Sequence, residues 1–94
     1  MSYAKKVDSN QKMLVDHARL LGASVTHLHN VGKGIPDLCI GYEGDNYLCE
    51  VKRPDGKLNA LQVEWHTNWL GQCCVIRTKE DLNFLLKGNK NWSI

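Results

Sequence analysis

Two short runs of β-forming residues, separated by a sequence typical of a turn, constrain the fold of this chain most strongly. The runs cover residues 37–42 and 47–53, and the turn sequence EGDN covers residues 43–46. This pattern predicts an antiparallel β-hairpin. Because strand side chains alternate between the two faces of a sheet, the hairpin also fixes which side chains lie together.

The pairing register decides which polar residues meet. We expect Tyr42 to pair with Tyr47 across the turn. This register places Asp37 opposite Lys52, with Glu50 as the diagonal neighbour of Asp37. The three polar side chains then share one face, and a register error of one residue would separate them. The other face is apolar and is expected to join the core, through Leu38, Ile40, Cys49 and Val51.

Two carboxylates beside a lysine have the chemistry of a metal-dependent nuclease site. Carboxylate oxygens are hard ligands that suit Mg²⁺ or Mn²⁺. A divalent ion there lowers the pKa of a bound water and neutralises the charge that develops on a phosphate. Lys52, held beside the ion, suits either positioning of the attacking water or stabilisation of the charged transition state. On spacing alone, the residues fit equally well a surface hairpin with an ordinary cross-strand ion pair.

The residues around the carboxylates also resemble a known motif. Gly34-Ile35-Pro36-Asp37 followed by Glu50-Val51-Lys52 resembles the PD-(D/E)xK nuclease motif. With Gly32-Lys33-Gly34 before it and Gln62 after it, the sequence is similar to the VRR-NUC branch of that superfamily over about residues 29–86. The similarity is to the standalone phage and bacterial members of that branch.

The resemblance implies a fold and a set of residue roles. The implied fold is α/β, a restriction-endonuclease-like mixed β-sheet flanked by helices. Asp37, Glu50 and the backbone carbonyl of Val51 are implied as ligands of Mg²⁺ or Mn²⁺. Lys52 is implied as the catalytic lysine, and Gln62 as a further residue of the catalytic site.

Two positions leave alternatives open. Gln62 lies three residues after Asn59, so it also fits a capping box at a helix start, which needs no catalytic role. Many relatives carry a Glu in the first helix, whereas this helix offers Gln11 and Asp16. The missing Glu affects the expected binding of a second metal ion more than that of the first.

Periodicity predicts the remaining elements and the order αβββαβα. A strand, helix, strand crossover after the hairpin is typical of an α/β sheet. In chain order, we expect a helix from Asp8 to Gly22, a strand over residues 23–29, the hairpin, a helix from Asn59 to Gly71, a strand over residues 73–77 and a helix that begins at Thr78.

Length and composition limit the kind of protein. The 94 residues allow one domain over residues 1–94, and a domain this small gains stability from a second copy. No stretch is long and apolar enough for a membrane span or signal peptide, so we expect the cytosol of a bacterium or a phage-infected host. Four cysteines without a CxxC pair fit reduced, packed thiols and disfavour structural zinc.

Basic residues near the motif predict contact with DNA phosphates. The net charge is only +2, but Lys33, Arg53 and Lys57 lie within or beside the motif segments. Lysine and arginine neutralise phosphates without reading bases, and no base-reading motif is visible. The resemblance implies a homodimer acting on branched DNA such as four-way junctions. Trp69, Leu70, Trp92 and the apolar part of the last helix are candidates for the subunit contact or for the core.

Three histidines are further candidates for the site, and two other functions fit the sequence. His27 and His29 lie two apart on a predicted strand, and His66 lies one helical turn after Gln62. A lone HxH pair is usually incidental, whereas Gln62 and His66 are expected to share a helix face. The main alternative function is a nucleic-acid-binding module with the same fold and no useful catalysis. A small interaction domain with a surface salt-bridge cluster is the third.

Overall fold

The structure, a computed structural model, describes residues 9–88, and these residues follow the predicted order αβββαβα. The last helix continues as a π-helical segment over Phe84–Gly88. The helices are α1 (Ser9–Leu20), α2 (Ala60–Asn68) and α3 (Lys79–Asn83), and the strands are β1 (Ser24–His27), β2 (Leu38–Tyr42), β3 (Asp45–Val51) and β4 (Cys74–Ile76). The expected helix start at Asp8 and the residue Trp92 lie outside the described residues.

The four strands form one mixed sheet in the order β1-β2-β3-β4. Strands β1, β2 and β3 are antiparallel neighbours, whereas β4 pairs with β3 in parallel. A parallel pair needs a crossover connection, and α2 supplies it here. The predicted α/β class, with a mixed sheet flanked by helices, is therefore confirmed.

The register of the β2–β3 hairpin differs from the prediction. Tyr42 pairs with Asp45 and not with Tyr47. The expected four-residue turn is a two-residue turn, with φ of 50° at Glu43 and 88° at Gly44. Positive φ at both central residues matches the twist of a tight hairpin, and the following glycine adopts it without steric cost. Because the register moves by two residues, every side chain keeps its predicted face.

The corrected register brings the two carboxylates closer together than expected. The last pair of the ladder is Leu38 with Cys49, so one step further places Asp37 opposite Glu50. The predicted pairing of Asp37 with Lys52 is wrong. Directly opposite residues have closer side chains than diagonal ones, so the tight turn favours contact between Asp37 and Glu50.

The core lies on one face of the sheet. Helix α1 and the α3 segment cover this face, where the residues predicted to be apolar and buried are indeed buried. Leu82 and Leu86 of the last helix join this core, so they are not free for a subunit contact. The buried apolar residues are Leu14, Val15, Ala18, Ala23, Leu38, Ile40, Tyr42, Cys49, Val51, Ile76, Leu82 and Leu86.

Helix α2 covers the opposite face and buries none of its own residues. Its position follows from Gln62, which bonds to Glu50 on the face opposite Cys49 and Val51. The helix begins after Asn59 as predicted and ends at Asn68, before the expected stop at Gly71. The polar site therefore lies between the sheet and a helix with little apolar anchorage. Within residues 9–88 no helix is long and apolar enough to cross a membrane.

Candidate active site

Asp37 is fixed by the two strands on either side of it. Its Oδ2 accepts a hydrogen bond of 2.9 Å from the backbone N–H of Val51 in β3. Its carbonyl accepts one of 2.7 Å from the N–H of Leu28, just after β1. The carboxylate is thereby oriented before any ligand binds, which is the property that a metal ligand needs.

Glu50 is the one buried charged residue in the described part of the chain, with 2% of its surface exposed. Its Oε2 accepts a hydrogen bond of 2.9 Å from Gln62 Nε2, and Lys52 Nζ lies 3.9 Å from the same oxygen. Its Oε1 is buried, and no described residue offers it a hydrogen bond. Buried acceptors are normally satisfied, so this oxygen is poised for a ligand.

The surroundings of Glu50 disfavour its charge. Burial, and after it the charge of the adjacent Asp37, raise the pKa of the Glu50 carboxyl to about 8. Lys52 opposes this rise in pKa only partly. Two carboxylates this close cannot both ionise easily unless a cation sits with them.

The donor set fits a hard divalent cation. Asp37 and Glu50 supply carboxylate oxygens, one of them the unpartnered Oε1, and an ion between them would offset their repulsion. The described residues contain no group of three or more His, Cys, Asp or Glu side chains that could hold a metal. Within residues 9–88, backbone carbonyls remain as further protein ligands beside water and substrate oxygens, and the carbonyl of Val51 stays a prediction.

Lys52 is positioned through its backbone as well as its side chain. Its N–H donates to the carbonyl of Ile76 at 3.1 Å, and its own carbonyl accepts a bond of 2.8 Å from Asn10 Nδ2. The same Asn10 amide donates to the carbonyl of Arg77 at 3.2 Å. Asn10 thus ties the first turn of α1 to the strand that carries the lysine. No local pattern predicts this role, because the contact with Lys52 spans 42 positions.

Gln62 forms the predicted capping box and also contacts Glu50. Its Oε1 accepts from the N–H of Asn59 at 2.9 Å, and the Asn59 side chain accepts from the N–H of Gln62 at 2.9 Å. The capping box uses the amide oxygen, so the amide nitrogen faces Glu50. The cap thereby sets the orientation of the group that holds the buried carboxylate.

The first helix places its other polar residues elsewhere. Gln11 Nε2 lies 3.3 Å from His27 Nδ1, and Asp16 accepts a bond of 2.8 Å from Lys12 on the surface. The rings of His27 and His29 meet edge to face with centroids 5.8 Å apart. These contacts account for the HxH pair without a metal.

The remaining candidates lie around the carboxylate pair. His66 shares a face of α2 with Gln62, as predicted, and its Nδ1 lies 3.4 Å from Cys73 Sγ. Its Nε2 is buried, and no described residue bonds to it. Arg53 and Lys57 are exposed in the loop after β3, whereas Lys33 is exposed in the loop before Asp37 and lines a cavity beside α2.

Comparison with known proteins bears on the fold. No family model matches the sequence, and no curated protein matches it. A solved structure described as "VRR_NUC domain" matches with a TM-score of 0.64 and 23% sequence identity, covering 80% of this chain and 88% of that chain. The chain has the fold of a VRR_NUC domain. The fold that the resemblance implied is confirmed, and the implied residue roles stay predictions.

Because the Glu50 carboxyl is buried, we expect the metal-free protein to lose stability as the pH rises. The unfolded chain releases the Glu50 proton near 4.5, whereas the folded state keeps it until about pH 8. Between these values the folded state binds more protons. The free energy of unfolding should therefore fall with pH, at a limiting slope of about 1.4 kcal/mol per pH unit. Urea denaturation in EDTA from pH 5 to pH 8 measures this slope.

Substitution isolates the contribution of Glu50 to that slope. Glu50→Gln removes the buried charge and should flatten the dependence, whereas Glu80→Gln, on an exposed side chain of α3, should leave it unchanged. An unchanged slope in Glu50→Gln would show that another group is responsible.

Gln62 both caps α2 and contacts Glu50, whereas Asn59 only caps the helix. Substitutions of these two residues should therefore have different effects. Asn59→Ala removes the cap alone and should cost about 1 kcal/mol of stability, with metal affinity within about twofold of wild type. Gln62→Ala also removes the donor to Glu50 and should lower Mn²⁺ affinity about 10- to 100-fold, as expected for a residue that orients a ligand. Calorimetric titration with Mn²⁺ measures the affinities. Equal affinities in the two variants would limit Gln62 to the cap.

Proposed function

We propose that this chain is a metal-dependent DNA endonuclease of the VRR-NUC family, which hydrolyses phosphodiester bonds. The observation that carries the proposal is the buried Glu50, with an unpartnered oxygen, beside the fixed carboxylate of Asp37. Lys52 and Gln62 converge on the same carboxylate. A surface ion pair would not require burial of Glu50, so the interaction-domain reading has less support.

The residues of the site divide the work between them. Asp37, Glu50 and the Val51 carbonyl would hold Mg²⁺ or Mn²⁺, which when bound supplies an activated water and neutralises charge on the phosphate. The Val51 N–H holds Asp37 in place, and Gln62 fixes the rotation of the Glu50 carboxylate. Lys52 places its Nζ beside the pair, 3.9 Å from Glu50 Oε2, where negative charge would develop on the phosphate.

The charge distribution supports DNA as the substrate. Arg53 and Lys57 are exposed in the loop after β3, and Lys33 is exposed in the loop before Asp37. Such residues neutralise phosphates on either side of the cut without reading sequence. With a net charge of only +2, long-range attraction to DNA is weak, which favours recognition of shape. Branched DNA such as a four-way junction is the proposed substrate, and the cytosol is the proposed location.

A homodimer is the proposed assembly. Two sites related by a two-fold axis can cut two strands of a symmetric junction. Leu70 is 98% exposed and Phe84 is 54% exposed, so both are free of the monomer core. Burial of such side chains against a second copy would add apolar contact that a domain of this size lacks.

A nucleic-acid-binding module without catalysis is the second candidate. The observation in its favour is that α1 contains no Glu, and that no third carboxylate joins the pair among the described residues. One carboxylate pair supports one cation more readily than two. This candidate predicts metal binding and DNA binding without cleavage.

Cleavage assays separate the two functions. End-labelled four-way junction, duplex, flap and single-stranded DNA are incubated with wild type, Glu50→Gln or Lys52→Ala in Mg²⁺, Mn²⁺ or EDTA. We expect metal-dependent cutting by wild type, fastest on the junction. Both variants should lose at least about 100-fold in rate, because Glu50→Gln weakens the metal site and Lys52→Ala removes the group that stabilises negative charge in the transition state. Lys12→Ala, on the exposed surface of α1, should cut like wild type.

Folding of each variant is checked by circular dichroism before the rates are compared. If wild type binds DNA and cuts none of the four substrates with either metal, the binding-module function replaces the nuclease. Cutting by folded Glu50→Gln at the wild-type rate would remove the buried carboxylate from the mechanism.

A further inference from the structure

A cavity of about 310 Å³ lies on the side of α2 next to the candidate active site. Its lining residues recur at helical spacing on α2 and at its C-cap, Trp69, joined by one lysine from the loop before Asp37. They are Lys33, Leu61, Glu64, Trp65, Asn68 and Trp69. We call this cavity the tryptophan pocket. Neither the carboxylate pair nor the capping box uses any of these side chains.

Two tryptophans form a rigid wall of the tryptophan pocket. The rings of Trp65 and Trp69 stack with centroids 4.7 Å apart and an interplanar angle of 18°. Trp69 Nε1 donates a hydrogen bond of 3.1 Å to the carbonyl of Gln72, which fixes the ring, yet 44% of Trp69 stays exposed. An ordered aromatic surface in contact with solvent is a ready platform for another flat group.

The tryptophan pocket and the carboxylate site are built from the same two segments. Gly34 has φ of 82°, and a side chain there would come within 2.9 Å of the carbonyl carbon of Leu61 and 3.2 Å of Trp65 Cβ. The loop that carries Lys33 therefore lies directly on α2. The same loop continues to Asp37, and the same helix presents Gln62 to Glu50. A ligand in the pocket would thus contact the loop that leads to Asp37 and the helix that carries Gln62.

The polar groups around the aromatic wall indicate what kind of ligand fits. Lys33 offers donors, Asn68 offers a donor and an acceptor, and the carboxylate of Glu64 offers acceptors. The carboxylate would repel a phosphate, and an apolar side chain from a second copy would leave three polar groups without partners. A nucleobase matches the set, because its face stacks on indole and its edge carries donors and acceptors.

We propose that the tryptophan pocket binds one unstacked nucleobase of the DNA next to the bond that is cut. This proposal rests on the proposed nuclease function and deepens it, because it assigns a substrate feature to the protein surface. The nuclease would then prefer DNA in which a base beside the cut is free of its stack, as at a branch point. Stacking of a single base on an aromatic side chain contributes about tenfold or more to affinity.

Binding without cleavage tests the pocket. Wild type in EDTA is titrated at fixed ionic strength with a single-stranded oligothymidine, and with an oligomer of equal length whose sugars are all abasic. Both have the same phosphates, and only the first has bases. We expect the oligothymidine to bind about tenfold or more tightly and to quench tryptophan fluorescence, whereas the abasic oligomer should do neither. This comparison needs no variant, so it holds even if a substitution disturbs folding.

Variants then locate the effect on the surface. Trp69→Leu should reduce the preference for bases to less than about twofold, while Leu20→Ala, on an exposed apolar residue of α1, should keep it. Equal affinity of wild type for the two oligomers would overturn the proposal. The cavity would instead belong to the subunit contact if two results came together. Wild type would bind both oligomers equally, and its dimer would dissociate when Trp69→Leu is introduced.

The failure of this proposal can be told from the failure of the nuclease. Metal-dependent cutting together with equal affinity for the two oligomers would retain the nuclease and remove the pocket. Base-dependent binding by a protein that cuts no DNA would retain the pocket and remove the nuclease.

Discussion

The burial of one carboxyl group, that of Glu50, organises most of this small domain. A buried ionised carboxylate is costly unless it is neutralised or paired. Here the Glu50 carboxyl lies beside a second carboxyl group, that of Asp37. It accepts a hydrogen bond from Gln62, and Lys52 Nζ lies 3.9 Å from it. This cluster connects α2 to the sheet through the hydrogen bond from Gln62, although the helix buries no residue of its own. Because Oε1 is buried without a hydrogen bond from the described residues, it lowers the stability of the metal-free protein and is available as a ligand for a cation.

The sequence predicted the faces of the hairpin better than its pairing. Tyr42 was expected opposite Tyr47 but pairs with Asp45, since positive φ at Glu43 and Gly44 allows a two-residue turn. A shift of two residues preserves the alternation of side chains, so Asp37 and Glu50 still meet on the polar face. Turn length is hard to predict because EGDN suits either a long or a short turn.

Contacts between distant segments were beyond what the sequence could show. Asn10 reads as part of a helix start, and only the fold brings it to the carbonyl of Lys52. The stack of Trp65 on Trp69 follows from helical spacing, but the pocket it forms with Lys33 depends on the close approach of the Gly34 loop. In contrast, both contacts of Gln62 have a signal in the sequence, because the spacing from Asn59 indicates the cap and the motif places Gln62 near Glu50.

The central claim is that Glu50 is held in a site that awaits a divalent cation, and its carboxyl pKa measures this most directly. Carbon-13 NMR of the Glu50 side chain, followed from pH 4 to pH 9, should give a pKa of about 8 in EDTA. With Mg²⁺ in excess, the pKa should fall well below that value, because the cation favours the charged form. A pKa near the ordinary 4.5, unchanged by Mg²⁺, would contradict the account.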